Sequence, residues 1–184
     1  MILPVYLYGN PVLRKVGEVI TADYPNLKEL IPNMFDTMYN ANGVGLAAQQ
    51  IGLPIRLLVI DLAPFKEEDP ELGAFKIAMI NPEMLELSEK TESGEEGCLS
   101  IPGIHENVPR SVKIKIRYQD ENFVEHIEEF ENYKARVIQH EYDHIEGKLF
   151  TDKVSPIRRQ LIKSKLDSIA RGKFSCSYKT KSLK

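Results

Sequence analysis

The sequence predicts an α+β fold, in which short, mostly antiparallel strands pack around a central helix and further helices lie towards both ends. Three observations carry this prediction. Apolar residues recur at helical spacing in three segments, they alternate with Lys and Arg over residues 112–118, and they form short runs elsewhere. No internal repeat or low-complexity linker interrupts the chain, so we expect a single domain over residues 1–184.

The first helix is predicted from its start signal and its apolar face. Asp23, Tyr24 and Pro25 are typical of a helix start, with an acidic cap and a proline in the first turn. The apolar residues that follow at helical spacing are Leu27, Leu30, Ile31, Met34 and Met38. The helix should end near Asn42 and Gly43, because both residue types tolerate the left-handed conformation that closes helices.

The middle of the chain is predicted to be mainly β-structure. Short strands are expected at residues 55–60, 77–80, 84–87, 112–118 and 123–130. Residues 64–74 are acidic and contain proline, so they should form an exposed loop. The turn at residues 120–122 makes the last two strands a hairpin.

Two further helices are predicted towards the end of the chain. Asn132 should cap a helix that runs to Glu146, with Gly147 just past its end. Ser155 and Pro156 should open the final helix. Its apolar positions are Ile157, Leu161, Ile162, Leu166 and Ile169.

The composition is that of a protein with a sizeable core and no membrane segment. Hydrophobic residues make up 42% of the chain and charged residues 28%. No run approaches the roughly 18 apolar residues of a membrane span. The first residues, MILPVYLYGNPVLRKVGEVI, lack the pattern of a secretory signal. We therefore expect a cytoplasmic protein without a membrane partner.

Charge is unevenly distributed along the chain. From about residue 153 a basic helix and tail run to Lys184, with ten Lys or Arg residues against one acid, Asp167, which leaves +9. A solvated helix face explains this charge, and contact with a polyanion such as RNA is the alternative.

Without a secretory signal, Cys98 and Cys176 should be reduced. Cys176 lies in a polar tail and is expected to be a bystander.

Residues 139–147 read QHEYDHIEG and are the first candidate for chemistry. His140 and His144 are four residues apart, so on the predicted helix they project from one face, with Glu141 beside His140. Two imidazoles and a carboxylate in this arrangement suit a divalent metal and the activation of water. Because the pattern His-Glu-x-x-His also arises by chance, it favours a metal site without establishing one.

Two histidines do not complete a catalytic metal site, which usually has three protein ligands. Downstream of His144 the acids Glu146, Asp152 and Asp167 remain, but none stands at a recognised spacing. Upstream, Cys98 lies in the segment EEGCLSIPG, part of which should be extended because it precedes a proline. A thiolate there would complete a Cys/His/His site, whereas a buried free cysteine is the other interpretation.

A third stretch, GVGLAAQQ at residues 43–50, contains two glycines that would let a ligand approach the backbone closely. It lacks the Lys and Ser/Thr of a phosphate-binding loop. A helix cap followed by a turn of small residues would also account for it.

Together the three stretches resemble the peptide deformylase family. That family carries, in this order, a G-x-G-L-A-A-x-Q segment, an E-G-C-L-S segment and a Q-H-E-x-D-H helix, and all three are complete here. The resemblance extends over most of the chain. It implies a metal-dependent hydrolase that removes the N-formyl group from the initiator formylmethionine of nascent polypeptides and releases formate.

The resemblance also implies a metal site on the central helix. Cys98, His140 and His144 would bind one divalent ion, and Glu141 would accept the proton of water and pass it to the departing amine. A thiolate with two imidazoles suits Zn²⁺ or Fe²⁺. The resemblance implies Fe²⁺, with Zn²⁺, Ni²⁺ or Co²⁺ able to replace it.

Substrate contacts are implied in the same way. The Gln50 side-chain amide and the Leu99 backbone N–H would form an oxyanion hole, and Gly45 would offer backbone groups to the formyl end. The methionine pocket would be lined by Val44, Tyr133 and Val137. The peptide beyond methionine would pair with an exposed edge near residues 101–104, and the basic end of the chain could dock on the ribosome.

Two other functions are compatible with parts of the pattern. A zinc peptidase of the His-Glu-x-x-His type would need a downstream acid as its third ligand and would leave Cys98 free. A binding module with a structural zinc ion would need four protein ligands and would show no turnover.

Overall fold

A computed structural model describes residues 1–183, so that Lys184, the end of the predicted basic segment, lies outside the described residues. The strands are β1 (Val5–Tyr6), β2 (Gly45–Ala47), β3 (Leu57–Asp61), β4 (Lys76–Leu87), β5 (Thr91–Cys98), β6 (Ile101–Ser111), β7 (Lys113–Gln119), β8 (Glu125–Glu131) and β9 (Thr180–Lys181). The α-helices are α1 (Leu27–Asn40), α2 (Pro70–Gly73), α3 (Asn132–Ile145) and α4 (Pro156–Ala170). Short 3₁₀ helices lie at Pro11–Arg14, Ala48–Ile51, Ala63–Phe65 and Phe150–Asp152.

An antiparallel sheet of five strands forms the centre of the fold, in the order β2, β3, β4, β7 and β8. Strands β5 and β6 form a separate antiparallel hairpin. Strands β1 and β9 pair in parallel and bring the two ends of the described chain together. The predicted α+β class with mostly antiparallel strands is therefore confirmed.

At β3 the central sheet is covered on both faces, which explains why residues Leu57 to Ile60 form an uninterrupted apolar run. Successive side chains of a strand point to opposite faces. Leu57 and Val59 pack with residues of α1, whereas Leu58 and Ile60 pack with residues of α3. A third core cluster joins β1, β6 and α4. Helix α3 thus lies between the sheet and the β5–β6 hairpin, with contacts to both.

Helix α1 begins later than its sequence predicts. Asn26 has a φ of 58°, which is left-handed, so the helix starts at Leu27 and Pro25 precedes it. The end is as expected, because Asn42 also adopts a positive φ, 55°, just after the last turn. Pro32 lies inside the helix, where proline removes one backbone hydrogen bond.

Residues 76–87 form one long strand instead of two short ones. The pair Asn81 and Pro82 looks like a breaker, but the register shifts by a bulge there and the strand changes partner. Its first part pairs with β3 and its second part with β7. The proline is tolerated because it sits at the bulge.

The predicted loop at residues 64–74 is also wrong in part, since it contains a 3₁₀ turn and α2, which Asp69 caps.

The two last helices lie close to their predicted bounds. Asn132 is the first residue of α3 and the cap is Glu131, while Gly147 follows the helix end with a φ of 69°. Ser155 caps α4 as predicted, because its Oγ accepts a hydrogen bond from Arg158 N–H. Of the predicted apolar positions of this helix, Ile157 and Leu161 are 76% and 63% exposed. Within residues 1–183, no helix has the length and apolar content needed to cross a bilayer.

Candidate active site

One face of α3 lines a cleft and the other face is packed in the core. His140, Glu141 and His144 are all buried, between 1% and 9% exposed, and project from the cleft side. Ile138 and Ile145 are fully buried against the sheet. The helix is therefore held by its apolar stripe, while its polar stripe is kept in place at the edge of the core.

Cys98 reaches this polar stripe from the β5–β6 hairpin. It stands opposite Ile101, so that Leu99 and Ser100 form the turn between the strands. Its Sγ lies 3.3 Å from His144 Nε2. The ligand atoms of Cys98, His140 and His144 all lie within 4.8 Å of one another, and these residues form the only such cluster in the described part of the chain.

The chemistry of this cluster fits a transition metal. A thiolate with two imidazoles is a donor set that suits Zn²⁺ or Fe²⁺. Glu141 Oε2 is buried next to the cluster and has no hydrogen-bond partner among the described residues. A buried carboxylate oxygen normally has a partner, so Glu141 is placed to receive a proton from a ligand in the cleft.

A network of charged side chains holds His140 through its Nδ1 atom. His140 Nδ1 lies 2.8 Å from Glu96 Oε1, which leaves the other ring nitrogen for the cluster. Arg110 donates to both carboxylate oxygens of Glu96, at 2.8 and 2.9 Å, and also to Asp143, at 2.5 Å. Arg136 donates to Glu96 Oε2 at 2.8 Å. Glu96 is thus fixed by three cationic or imidazole partners.

Burial and charge shift the pKa values of these groups in different directions. Burial raises the pKa of Glu141 to about 7, which suits a group that accepts and returns a proton near neutral pH. Burial also opposes ionisation of Glu96, but the Arg110 and His140 hydrogen bonds outweigh it and lower its pKa to about 2. Burial and His140 hold the pKa of His144 well below its ordinary value, so His144 is neutral and able to ligate.

The predicted oxyanion residues lie beside the cluster. Gln50, in the 3₁₀ helix after β2, places Nε2 3.5 Å from Cys98 Sγ and 3.2 Å from Ser100 Oγ. Its Oε1 accepts from Ala47 N–H at 2.9 Å, which orients the amide so that its NH₂ faces the cluster. A Cβ at Gly45 would lie 2.3 Å from Glu141 Oε1, so glycine leaves the room that this carboxylate occupies.

All ten residues predicted for the site belong to one region. The cleft has a volume of about 500 Å³. Nine of the ten residues line it, and His144 belongs to the cluster with Cys98 and His140. Val44, Tyr133 and Val137 form an apolar part of its lining. Ile101, Pro102, Gly103 and Ile104 line another part of it.

Sequence reasoning missed several residues of the site. Glu96 and Asp143 stand inside the quoted motifs. Glu96 meets Arg110 through the pairing of β5 with β6, and Asp143 meets it through the packing of α3 beside that hairpin, neither of which a local pattern reveals. The C-terminal tail also reaches the cleft, through residues 175–178. Cys176 therefore lines the cleft, and the expectation that it takes no part in the chemistry stays a prediction.

The downstream acids that a zinc peptidase would need are engaged elsewhere. Glu146 pairs with Arg56 at 2.7 Å and Asp152 pairs with Arg14 at 2.6 Å. Asp167 is exposed on α4. None of them belongs to the cluster formed by Cys98 and the two histidines in residues 1–183, so the peptidase alternative is not favoured.

Comparisons with known proteins agree with this geometry. A family model described as "Polypeptide deformylase" matches residues 2–160. The peptide deformylase of Flavobacterium johnsoniae is 53% identical, over 98% of this chain and 96% of that protein. The crystal structure of the Thermotoga maritima peptide deformylase is 43% identical with a TM-score of 0.76, over 85% of this chain and 99% of its own. The Legionella pneumophila peptide deformylase is 37% identical with a TM-score of 0.81, over 93% and 96% of the two chains.

The family match covers most of the chain, and the relative from Flavobacterium exceeds half identity over nearly its whole length. The resemblance noted in the three motifs is therefore confirmed. The chain belongs to the peptide deformylase family, and it is a metal-dependent hydrolase that removes the N-formyl group from nascent formylmethionyl peptides.

Proposed function

We propose that Cys98, His140 and His144 hold one divalent ion and that Glu141 carries the proton in deformylation. One observation supports this assignment most directly: three metal-ligating atoms lie within 4.8 Å of one another, beside a buried carboxylate oxygen that has no described partner. Three protein ligands leave a coordination position open, as catalytic sites require.

An ion held by Cys98, His140 and His144 would supply Lewis acidity for the activation of water at neutral pH. We infer that Fe²⁺ is the resident ion and that Zn²⁺, Ni²⁺ or Co²⁺ can replace it, because the thiolate and imidazoles accept all four. Glu96 fixes the His140 ring so that its free nitrogen faces the cluster, since its Nδ1 is engaged with Glu96 Oε1.

Glu141 acts as the proton carrier. Its raised pKa, about 7, lets it take a proton from water and deliver the proton to the amine that leaves. Gly45 permits the close approach of the Glu141 carboxylate to β2, because no Cβ occupies the space. The same backbone is available to the formyl end of the substrate.

Gln50 and Leu99 stabilise the negative oxygen of the tetrahedral intermediate. The Gln50 amide is oriented by its bond with Ala47 N–H, and this fixed orientation means that little reorganisation is needed as charge develops. The Leu99 N–H belongs to the turn directly after Cys98 and is the second donor. Both N–H donors interact more strongly with the developing negative oxygen than with the neutral formyl carbonyl, so both favour the transition state over the ground state.

Substrate recognition uses the apolar part of the cleft. Val44, Tyr133 and Val137 receive the methionine side chain, because they form a continuous apolar lining near Glu141. The peptide beyond methionine lies along residues 101–104, which end the β5–β6 turn at the cleft. Backbone pairing there would tolerate many sequences after methionine.

At the scale of the cell, we infer one catalytic domain over residues 1–184 that works in the cytoplasm on chains emerging from the ribosome. The basic segment from about residue 153 is the surface that would contact ribosomal RNA. Its lysines and arginines supply the positive charge that such contact requires.

The ligand assignment is tested by the Cys98→Ser variant, prepared without oxygen alongside the unaltered protein. We expect the unaltered protein to carry one Fe²⁺ per chain and to release formate from a formyl-Met peptide. The variant should lose most of its metal and activity, because a hydroxyl is a far weaker ligand than a thiolate. Full metal content in the variant would contradict the assignment of Cys98 as a ligand. It would favour a downstream acid as the third ligand instead.

A further inference from the structure

The turn after Cys98 has backbone carbonyls that the β5–β6 hairpin leaves unpaired. Leu99 and Ser100 lie between the paired residues Cys98 and Ile101. The Ser100 carbonyl accepts from Tyr8 N–H at 2.8 Å. The Leu99 carbonyl accepts from the Tyr178 hydroxyl at 2.6 Å. Each end of the chain therefore supplies one donor to the turn that carries the proposed oxyanion N–H.

The segment that carries Tyr178 is anchored on both sides of that residue. Phe174 and Tyr178 pack against the core cluster that contains Leu149 and Phe150. Beyond Tyr178, Val5 N–H donates to the Lys179 carbonyl at 2.9 Å, and Leu7 N–H donates to the Lys181 carbonyl at 3.0 Å. The Tyr178 hydroxyl thus extends from a fixed backbone, so it can hold Leu99 in place.

We propose that Tyr178 is a positioning residue for the reaction. Its hydroxyl holds the Leu99 carbonyl, which restrains the backbone torsion angles of Leu99 and so limits how far the adjoining peptide unit, which carries the Leu99 N–H, can rotate. This inference rests on the proposed role of the Leu99 N–H as an oxyanion donor. Tyr178 lies beyond residue 160, where the match to the family model ends.

Two restraints act on Leu99, and the Tyr178 hydroxyl supplies the one that acts on its backbone. The Leu99 side chain is half-buried between two core clusters, which restrains it at one point. The hydrogen bond to its carbonyl adds a second restraint, on the backbone itself. An N–H that is free to swing loses alignment with a developing oxyanion, and that cost appears only in the transition state.

The test compares Tyr178→Phe with two reference variants in the metal-loaded protein. Tyr118→Phe removes a different partly buried hydroxyl, which donates to Glu128 on the central sheet, and serves as the matched control. Gln50→Ala removes the other proposed oxyanion donor. For each variant, kcat and KM for formate release from a formyl-Met-Ala-Ser peptide are measured, together with the metal content and the hydrogen exchange of the Val5 and Leu7 amides.

We expect Tyr178→Phe to lower kcat by about tenfold, with KM, metal content and amide exchange unchanged. Gln50→Ala should lower kcat by roughly a hundredfold or more, and Tyr118→Phe should leave kcat unchanged. An unchanged kcat in Tyr178→Phe would overturn the inference. So would a fall in kcat that comes with faster exchange of the Val5 and Leu7 amides, because the hydroxyl would then only be holding the tail. If Gln50→Ala itself is fully active, the oxyanion hole fails as a whole.

Discussion

At the scale of single residues, Glu96 joins two guanidinium groups and one imidazole of the site. It stands two positions before Cys98, so the strand that delivers the thiolate also delivers this carboxylate. One of its carboxylate oxygens lies beside His140 Nδ1, and the carboxylate also pairs with the guanidinium groups of Arg110 and Arg136. Its function in this arrangement is to select which nitrogen of His140 faces the cluster.

Replacing Glu96 by glutamine should weaken metal binding. The amide keeps the size of the side chain, but it removes the charge that fixes Arg110 and Arg136 and it weakens the bond with His140. We expect the dissociation constant for Zn²⁺, measured by competition with a chelator, to rise about 10- to 100-fold. Glu92→Gln on the same strand, where the side chain makes only a surface contact with Lys90, is the control. Equal affinity of both variants would show that Glu96 does not orient the ligand.

The cluster of Cys98, His140 and His144 could be predicted from the sequence and the resemblance, whereas the side chains that support it could not. A spacing of four places His140 and His144 on one helical face wherever the helix lies. Arg110, by contrast, meets Glu96 because β6 folds back on β5 in a particular register, and meets Asp143 because α3 packs beside that hairpin. Contacts of this kind depend on tertiary structure, so local spacing carries no signal for them.

At the scale of elements, the 3₁₀ helix at Phe150–Asp152 ties the end of the site helix to the N-terminal part of the chain. Asp152 accepts from Leu149 N–H at 2.9 Å and pairs with Arg14, which belongs to the first 3₁₀ helix. Burial raises the pKa of Asp152. The hydrogen bonds from Arg14 and from Leu149 N–H, together with the charges of Arg14 and Arg159, outweigh this effect and hold the pKa below its ordinary value of 3.8.

The Asp152→Asn variant should therefore be less stable in a pH-dependent way. A carboxyl whose pKa is lowered by folding stabilises the protein above its unfolded pKa, and this stabilisation is lost as the pH falls through the folded value. Because the pair is partly exposed, we expect a deficit of about 0.5–1 kcal/mol at neutral pH. Urea unfolding of both proteins between about pH 7 and pH 3 should show the deficit shrinking towards acid. A deficit that stayed constant or grew would contradict the ion pair.

Helices were predicted better than strand bounds, and the reason is physical. A cap such as Ser155 acts within three residues, so its signal is local. Asn81 and Pro82 look like a strand end, but the strand continues because its neighbour changes from β3 to β7 at the bulge. The exposure of Ile157 and Leu161 was missed because α4 packs on the core through a narrow stripe. That stripe is formed by Ile162, Leu166 and Ile169.

At the scale of the whole molecule, the C-terminal segment has two separate features. It is strongly basic, with ten Lys or Arg residues and one acid from residue 153 onwards. Its residues 175–178 also line the cleft. Removal of the tail would disturb both features at once. Ribosome binding is therefore better tested by changing charge on its exposed surface.

Reversing Lys163 and Lys173, both exposed, to glutamate should weaken binding to ribosomes. If each lysine contacts one phosphate, the slope of log affinity against log salt should fall by about two. Lys28 and Lys66, exposed at the other end of the chain, provide the matched double reversal. Formate release from a free peptide should be equal in all three proteins. Identical ribosome affinity of the two double variants would exclude the basic segment as the docking surface.

The most direct test of the account is the Glu141→Gln variant, assayed for bound metal and for formate release from a formyl-Met peptide. The substitution keeps the shape of the side chain and leaves Cys98, His140 and His144 in place. We predict one metal ion per chain, as in the unaltered protein, and a fall in kcat of about a thousandfold, because the proton carrier is lost. A variant that holds its metal and retains full activity would contradict the central claim that Glu141 moves the proton at this site.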